Sequence, residues 1–156
     1  KTKVEYEVMT QKILIINGPN LNLLGNRETD IYGSETLDDL KLRCNKRGDS
    51  LSISIDFRQS NHEGELVEWI QEAEKLSYSG IIINAGAYTH TSIAILDALR
   101  SIKKPIIEVH LSNIYKREDY RSRSYVSECA DAIICGCGTI GYELAIEAII
   151  KLAKNK

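Results

Sequence analysis

The sequence has little of several features that would place a protein in a well-marked class. Its longest strictly apolar runs, such as residues 13–16, are about four residues long, whereas a membrane-spanning helix needs about 20. Its 20 basic and 22 acidic residues give a formal net charge of -2, so it lacks the positive excess that drives binding to nucleic acids. At 156 residues it is also short for a (β/α)₈ barrel, which needs about 250. We therefore expect one small domain with no membrane span and no nucleic-acid partner.

The sequence has only four cysteines, and their spacing is typical of neither a zinc site nor a disulfide framework. Cys44, Cys129, Cys135 and Cys137 contain no Cys-x-x-Cys pair, and no closely spaced pair of histidines follows them. A chain of this size and apolar content does not need disulfide bonds to fold. We interpret Cys135 and Cys137 as small structural side chains at a strand end. We expect no bound metal, and free thiols in a cytoplasmic protein.

The beginning of the chain is polar and lacks the apolar segment of a secretory signal. Met9 is the one methionine and stands shortly before the first hydrophobic run. We expect Met9 to be the native start and residues 1–8 to be appended. Residues 1–11 are expected to form a disordered or appended extension, and residues 12–156 to form a single domain.

Short apolar runs alternate with segments of helical periodicity along the rest of the chain. Five runs are expected to be strands: 13–16, 51–57, 81–83, 105–109 and 132–134. The first run is continuously apolar, which indicates a strand buried on both faces, whereas the second alternates as an edge strand does. Strands separated by helices make repeated βαβ units. We therefore predict an α/β fold with five parallel strands in the middle of a three-layer sandwich.

Capping residues and a glycine predict where the helices begin and end. The candidate N-caps of three helices are Thr36 (with Asp39 in the capping position), Ser60 or Asn61, and Thr91 or Ser92. Gly48 is expected to end the first helix, and a last helix is expected at 139–152. Residues 17–34 form a polar loop whose length indicates a functional role.

Polar residues follow the predicted strands, and in an open parallel sheet ligands bind beyond the carboxyl ends of the strands. Of the three histidines, His62 is expected on the surface, and the position of His90 fits either a cap or a ligand contact. His110 follows a buried strand, and Glu108 lies two residues earlier on the same strand face, where it could orient the imidazole. The arginines in or beside these segments would suit a small carboxylate: Arg27, Arg58, Arg117, Arg121 and Arg123.

Residues 136–141 match the pattern G-x-G-x-x-G, but their context argues against a dinucleotide site. That fingerprint opens a βαβ unit and has an acidic residue about 20 positions further on. Only 15 residues follow Gly141, and none of them is predicted to form a strand. We interpret these glycines as residues that permit close packing at the start of a helix.

Taken together, the polar segments resemble those of the type II 3-dehydroquinate dehydratases. The matching segments are INGPNLNLLGNRETDIYG at 16–33, RQSN at 58–61, EGEL at 63–66, NAGAYTHTS at 84–92, EVHLSN at 108–113 and REDYRSRS at 117–124. Six segments in the same order are far more specific than any one of them. The resemblance implies a flavodoxin-like sheet, a dodecamer built as a tetramer of trimers, and an enzyme that needs no cofactor. It also implies loss of water from 3-dehydroquinate to give 3-dehydroshikimate, by anti elimination through an enolate, in the shikimate pathway.

The resemblance assigns catalytic roles by matching position. Tyr32 would take the proton at C2, with Arg27 activating it. His110 would give a proton to the departing C1 hydroxyl, with Glu108 holding the imidazole. Asn20 would help to hold a water at the enolate oxygen.

Six further residues are assigned by the resemblance to the substrate: Asn84, Leu111, Ser112, His90, Arg121 and Asp97. The first three would contact the carboxylate and C1, through the Asn84 side chain and the two backbone amides. The next two would bind ring hydroxyls. Asp97 would reach into the site of a neighbouring subunit within the trimer.

One alternative is a flavodoxin-like domain that binds a phosphate or a flavin in the same crevice and has no dehydratase activity. A phosphoryl-accepting domain would carry paired acidic residues after the first strand, where this chain has NGPN at 17–20. A flavin site would show a phosphate loop rich in serine and threonine there. The joint presence of Arg27, Tyr32 and His110 favours the dehydratase.

Overall fold

The computed structural model describes residues 11–155, which form a single parallel sheet of five strands with helices on both faces. The strands are β1 (Gln11–Asn17), β2 (Ile53–Gln59), β3 (Gly80–Asn84), β4 (Ile106–His110) and β5 (Ala132–Cys135). Gln11, which we had placed in the extension, is already part of β1 and pairs with Ile53. The predictions for residues 1–10, including Met9 as the start, lie outside the described residues.

The strand order is β2-β1-β3-β4-β5, which confirms the predicted flavodoxin-like sheet. The chain runs from β1 outward to β2, and then returns across β1 to β3 and continues in the other direction. The order therefore reverses between β1 and β3, and a crevice forms at their carboxyl ends because the flanking connections leave on opposite faces. β2 lies at one edge of the sheet, as its alternating pattern predicted.

A single helical turn, α1 (Thr29–Tyr32), lies in the loop after β1. The four longer helices make the outer layers: α2 (Leu37–Ser50), α3 (Glu63–Lys75), α4 (Ile93–Arg100) and α5 (Ile140–Lys154). The side chains of β1 explain the layering. Leu14 and Ile16 pack with α3 and α4, whereas Ile13 and Ile15 pack with α2 and α5. All four are fully buried, so the prediction of a strand covered on both faces is confirmed. None of the helices within residues 11–155 has the length and apolar composition that crossing a bilayer requires.

Two of the three predicted N-caps are confirmed. Thr36 accepts the backbone N–H of Asp39, and the Asp39 carboxylate accepts the backbone N–H of Thr36, which completes a capping box on α2. Ser92 caps α4 by accepting the N–H of Ile95 at 2.9 Å. The prediction for α3 was wrong, because His62 is the N-cap residue. The Ser60 hydroxyl instead accepts the N–H of His62 at 3.0 Å and shapes the turn before the helix.

Gly48 does not end α2, as we had predicted, but lies in its last turn. A Cβ on Gly48 would lie 2.6 Å from Ile55 Cγ1 and 2.8 Å from the Ile53 carbonyl oxygen. The missing side chain thus lets the end of α2 approach β2 closely. Packing, rather than helix termination, is the physical reason for a glycine at this position.

The prediction that the glycines at 136–141 permit close packing holds only at Gly136 and is wrong for the other two: Gly138 has a φ of +61° with nothing within 4 Å of an added Cβ, and Gly141 has room for one. Gly136 has a φ of +85°, and a Cβ there would lie 3.2 Å from Asn113 Cβ. Gly141 lies in the first turn of α5, where a Cβ would make an ordinary van der Waals contact with Ile134 of β5 at 3.4 Å. The segment joins β5 to α5 and supports the loop that follows β4, because the Gly138 N–H donates to the Leu111 carbonyl at 3.0 Å.

Candidate active site

A crevice of about 120 Å³ opens at the carboxyl ends of β1, β3 and β4. Predicted site residues reach it from three places: Asn20, Arg27 and Tyr32 from the loop after β1, Asn84 and His90 from β3 and its turn, and His110, Leu111, Ser112 and Arg121 from β4 and the segment beyond it. Of the predicted arginines, Arg27, Arg117 and Arg121 line the crevice. Arg58 is instead held on the outer side of β2 by Asp56 and Glu72.

Glu108 and His110 form a buried pair at the end of β4. Residues two apart on a strand share a face, and His110 Nε2 lies 2.7 Å from Glu108 Oε1. Glu108 is fully buried and His110 is 5% exposed, with the imidazole on the crevice wall. Because a carboxylate only accepts, Nε2 carries the hydrogen and Nδ1 is the nitrogen left for the crevice. Glu108 therefore lies behind the crevice wall, in contact with His110.

Two serines that sequence reasoning had not singled out also contact Glu108. The Ser124 hydroxyl donates to Oε1 and the Ser127 hydroxyl donates to Oε2. Burial raises the pKa of Glu108, but the hydrogen bonds from His110 and the two serines outweigh it, so that the pKa is lowered from its usual value. The carboxyl group is therefore ionised at neutral pH. Nothing in the spacing of these serines relative to Glu108 signals the contact.

His90 lies in a 3-10 turn after β3 and faces the same crevice. Its Nδ1 is 2.7 Å from the carbonyl oxygen of Arg123, which can only accept, so Nδ1 carries the hydrogen. Burial lowers the pKa of His90, and the nearby His110 and Arg121 add to this effect. The ring is consequently neutral, with Nε2 available to accept a hydrogen bond from a ligand hydroxyl.

The hydroxyl of Tyr32 is held by Arg117. Arg117 Nη1 donates to the Tyr32 oxygen at 2.7 Å, and the guanidinium carbon lies 5.6 Å from the centre of the tyrosine ring. Arg27, which we had expected to act on Tyr32, lies beside Glu28 at 3.7 Å with its side chain 48% exposed. The structure thus brings a second arginine to the predicted base, and it places that arginine in a more buried position, since the Arg117 side chain is 15% exposed.

Asn84 is oriented by a buried chain of hydrogen bonds beneath the crevice. Its Oδ1 accepts the N–H of Gly86 at 3.2 Å, and its Nδ2 donates to the Tyr142 hydroxyl at 2.9 Å. That hydroxyl donates in turn to Asn17 Oδ1 at 2.7 Å. Burial raises the pKa of Tyr142, so its proton stays in place for this bond. The second N–H of Asn84 is left over, and this side chain can offer a donor to a ligand oxygen.

Asn20 opens the loop after β1 in a left-handed conformation, with φ at 68°. Asparagine tolerates this conformation better than most residues. The backbone N–H of Asn20 donates to Asn61 Oδ1 at 3.0 Å, which ties the start of the loop to the segment that follows β2. The side chain of Asn20 is exposed at the crevice.

Asp97 is the predicted residue that this chain does not bring to its own crevice. It lies on α4 with its side chain exposed. The role of Asp97 in the site of a neighbouring subunit stays a prediction.

Fold and site together define an α/β enzyme equipped for proton transfer on a small molecule. An imidazole paired with a carboxylate and a phenol paired with a guanidinium line one crevice, and two further hydrogen-bonding side chains, Asn84 and His90, complete it. The pattern for dehydroquinase class II matches residues 11–150. The chain belongs to this family of dehydroquinases.

Individual relatives agree with that assignment. A 3-dehydroquinate dehydratase of Brucella canis is 53% identical over 149 residues, which are 95% of this chain and 94% of the relative. A 3-dehydroquinate dehydratase of Streptomyces avermitilis is 55% identical over 92% of this chain and 90% of its own length. The crystal structure of a type II dehydroquinase from Butyrivibrio crossotus superimposes with a TM-score of 0.89 at 46% identity, covering 90% of this chain and 98% of that one.

Proposed function

We propose that this protein is a hydro-lyase that converts 3-dehydroquinate to 3-dehydroshikimate, a step of the shikimate pathway. The observation that carries the proposal is that two proton-transfer groups, Tyr32 and the His110–Glu108 pair, line a single crevice in a chain of the class II dehydroquinase family. Membership of that family does not favour the alternative of a phosphate- or flavin-binding domain.

In the proposed reaction Tyr32 removes a proton from C2, and the electron pair moves into the adjacent C3 carbonyl to give an enolate. The guanidinium of Arg117, at 2.7 Å from the phenol oxygen, stabilises negative charge on the base. Arg27 lies in the same loop as Tyr32 and adds a second cation to this side of the crevice. Asn20 is proposed to hold a water at the enolate oxygen.

The second half of the reaction expels the C1 hydroxyl as water. The enolate electrons return to form the C1–C2 double bond while His110 donates a proton to the leaving oxygen. Glu108 orients the imidazole for this step, because its carboxylate contacts Nε2 and leaves Nδ1 to face the crevice. Tyr32 lies at the end of α1 and His110 at the end of β4, and such separate origins are compatible with removal of the proton and the hydroxyl from opposite faces of the ring.

The remaining predicted residues are proposed to bind the substrate. Asn84 and the amides of Leu111 and Ser112 would contact its carboxylate and C1 oxygen. The neutral Nε2 of His90 would accept a ring hydroxyl, and Arg121 would donate to another. None of these steps calls on a cofactor.

We further propose that the protein works as a dodecamer, a tetramer of trimers, in the cytoplasm. The exposed position of Asp97 on α4 leaves its carboxylate available to a neighbouring subunit. The cytoplasmic location is supported by four cysteines that are all free thiols. Sedimentation velocity would test the oligomer, and a monomer that retains full turnover would contradict it.

The function is tested with 3-dehydroquinate and no added cofactor. The product is a conjugated enone, so its formation raises the ultraviolet absorbance as the reaction proceeds. We expect steady turnover by the purified protein. A well-folded preparation that produces no enone would remove the dehydratase proposal.

A further inference from the structure

Glu108 carries its charge in a place where water cannot reach it. Its side chain is fully buried, and a buried carboxylate is costly unless hydrogen bonds replace those of water. Three donors do so: His110 Nε2 at 2.7 Å and the hydroxyls of Ser124 and Ser127. Ser124 precedes the short 3-10 turn Val126–Glu128 and Ser127 lies within it. This segment is attached to the turn after β3, because the Tyr125 N–H donates to the Thr89 carbonyl at 2.9 Å.

The direction of each hydrogen bond follows from what each group can donate. The backbone N–H of Ser127 donates to Ser124 Oγ at 3.1 Å, which leaves the Ser124 hydroxyl hydrogen for Glu108. Oε1 then receives His110 and Ser124, and Oε2 receives Ser127. A protonated carboxyl group would carry its own hydrogen on one oxygen and would compete with a donor already there. The arrangement therefore favours the ionised carboxylate.

We propose that Ser124 and Ser127 are positioning residues whose hydroxyls hold Glu108 as a carboxylate directed at His110. They act through Glu108 and touch no reacting atom. By keeping the carboxylate ionised they keep the His110 ring oriented toward the crevice for the proton that it delivers. The inference rests on the proposed function, in which His110 is the acid.

The other titratable groups near Glu108 and His110 do not replace the two serines as groups that keep Glu108 ionised. Those near the pair are His90, Cys129, Cys135 and, further along the crevice, Arg121. Burial raises the pKa of the Cys129 thiol to about 11 and also raises that of Cys135, so both are uncharged at neutral pH. His90 is neutral for the same reason, and Arg121 is paired with Glu118 at 2.8 Å.

The test is the pH dependence of kcat in Ser124→Ala and Ser127→Ala. A carboxylate that loses one donor takes up a proton at higher pH, and a hydrogen bond to a charged group, at about 1.5–3 kcal/mol, corresponds to about one to two pH units. We expect the acid limb of the profile to move upward by about that amount in each variant. Ser127→Thr keeps a hydroxyl and should keep the limb in place. Ser50→Ala is the matched control, because its hydroxyl donates only to the Arg47 carbonyl, at 2.7 Å and at the end of α2.

A merely structural role would give a different result: an equal loss of kcat at every pH, with the acid limb unmoved, would overturn the inference. A second measurement needs no substrate. The difference in unfolding free energy between the wild type and Ser127→Ala should be largest near neutral pH and shrink as the pH falls below about 4.5, where the Glu108 carboxylate of the unfolded chain becomes protonated. Ser127 is only half-buried, so this variant decides the question even where Ser124→Ala fails to fold.

The two proposals fail separately. If the wild type does not turn over 3-dehydroquinate, but the stability difference still depends on pH, the proposed function fails and the serine contacts stand. If the wild type turns over 3-dehydroquinate, but the acid limb does not move in the variants and the stability difference does not change with pH, the positioning role fails and the proposed function stands.

Discussion

Replacing Arg117 with alanine should slow turnover without unfolding the protein. Arg117 donates from Nη1 to the Tyr32 hydroxyl oxygen at 2.7 Å, and its side chain is only 15% exposed, so water screens the interaction weakly. The Glu118 carboxylate lies 3.8 Å from Arg117 Nε, and it leaves Nη1 of Arg117 free for Tyr32. The loss should therefore fall on the ability of Tyr32 to hold negative charge.

The size of the effect follows from the kind of bond that is removed. A hydrogen bond to a charged group contributes about 1.5–3 kcal/mol, and each ~1.4 kcal/mol of transition-state stabilisation is worth tenfold in rate. We expect kcat to fall by about 10- to 100-fold. The stacking of the guanidinium on the tyrosine ring, at 5.6 Å, adds little to this because it is the same in the ground state and the transition state.

The assay is the appearance of the enone product over a range of 3-dehydroquinate concentrations, which separates kcat from KM. Arg117→Lys keeps the charge and loses the planar fork, so its kcat should lie between those of the wild type and Arg117→Ala. Arg47→Ala is the matched control, since Arg47 pairs with Glu147 on the outer surface of α2 and α5. A kcat for Arg117→Ala within twofold of the wild type would refute the reasoning.

Three other outcomes are expected. Tyr32→Phe and His110→Ala should each lower kcat by at least ~10²-fold with an unchanged far-ultraviolet circular dichroism spectrum; near-normal turnover in either would contradict its role. Tyr142→Phe leaves buried amide groups of Asn84 and Asn17 without a partner, so urea melts should show a loss of about 1–3 kcal/mol, and a wild-type melt would show that this chain of bonds matters little. Because burial lowers the pKa of His90, the unfolded chain takes up a proton first as the pH falls below about 6.5, and stability that is fully present above that pH is lost below it. His90→Asn should abolish this part of the decrease in stability between about pH 7.5 and 5.5, a range that spans the usual histidine pKa of about 6.5. Parallel stability curves for the wild type and His90→Asn would contradict this expectation.

The order and type of the main elements follow from the sequence because they depend on local patterns. A continuous apolar run gave β1 its burial on both faces, and Thr36 with Asp39 gave α2 its start, since capping joins residues only three apart. The ends of elements were less predictable. Gly48 looked like a helix end, but its role is decided by Ile53 and Ile55 of β2, which pack against it.

Membership of the family could also be predicted from the sequence, because six polar segments in a fixed order are far more specific than any single residue. Most of the predicted site residues fell in these segments, and the rule that ligands bind at the carboxyl ends of parallel strands was enough to bring them to one crevice.

The partners of those residues are what the tertiary structure alone decided. Arg117 reaches Tyr32 across 85 positions of the chain, and Tyr142 reaches Asn17 across 125. Ser127 reaches Glu108 across 19. Such contacts depend on the path of loops and on which face of the sheet an element covers, and neither periodicity nor capping reports these. The sequence therefore determined which groups supply the chemistry, and the packed structure decided which neighbours set their charge and direction, because a hydrogen bond needs atoms within about 3 Å in space whatever their separation along the chain.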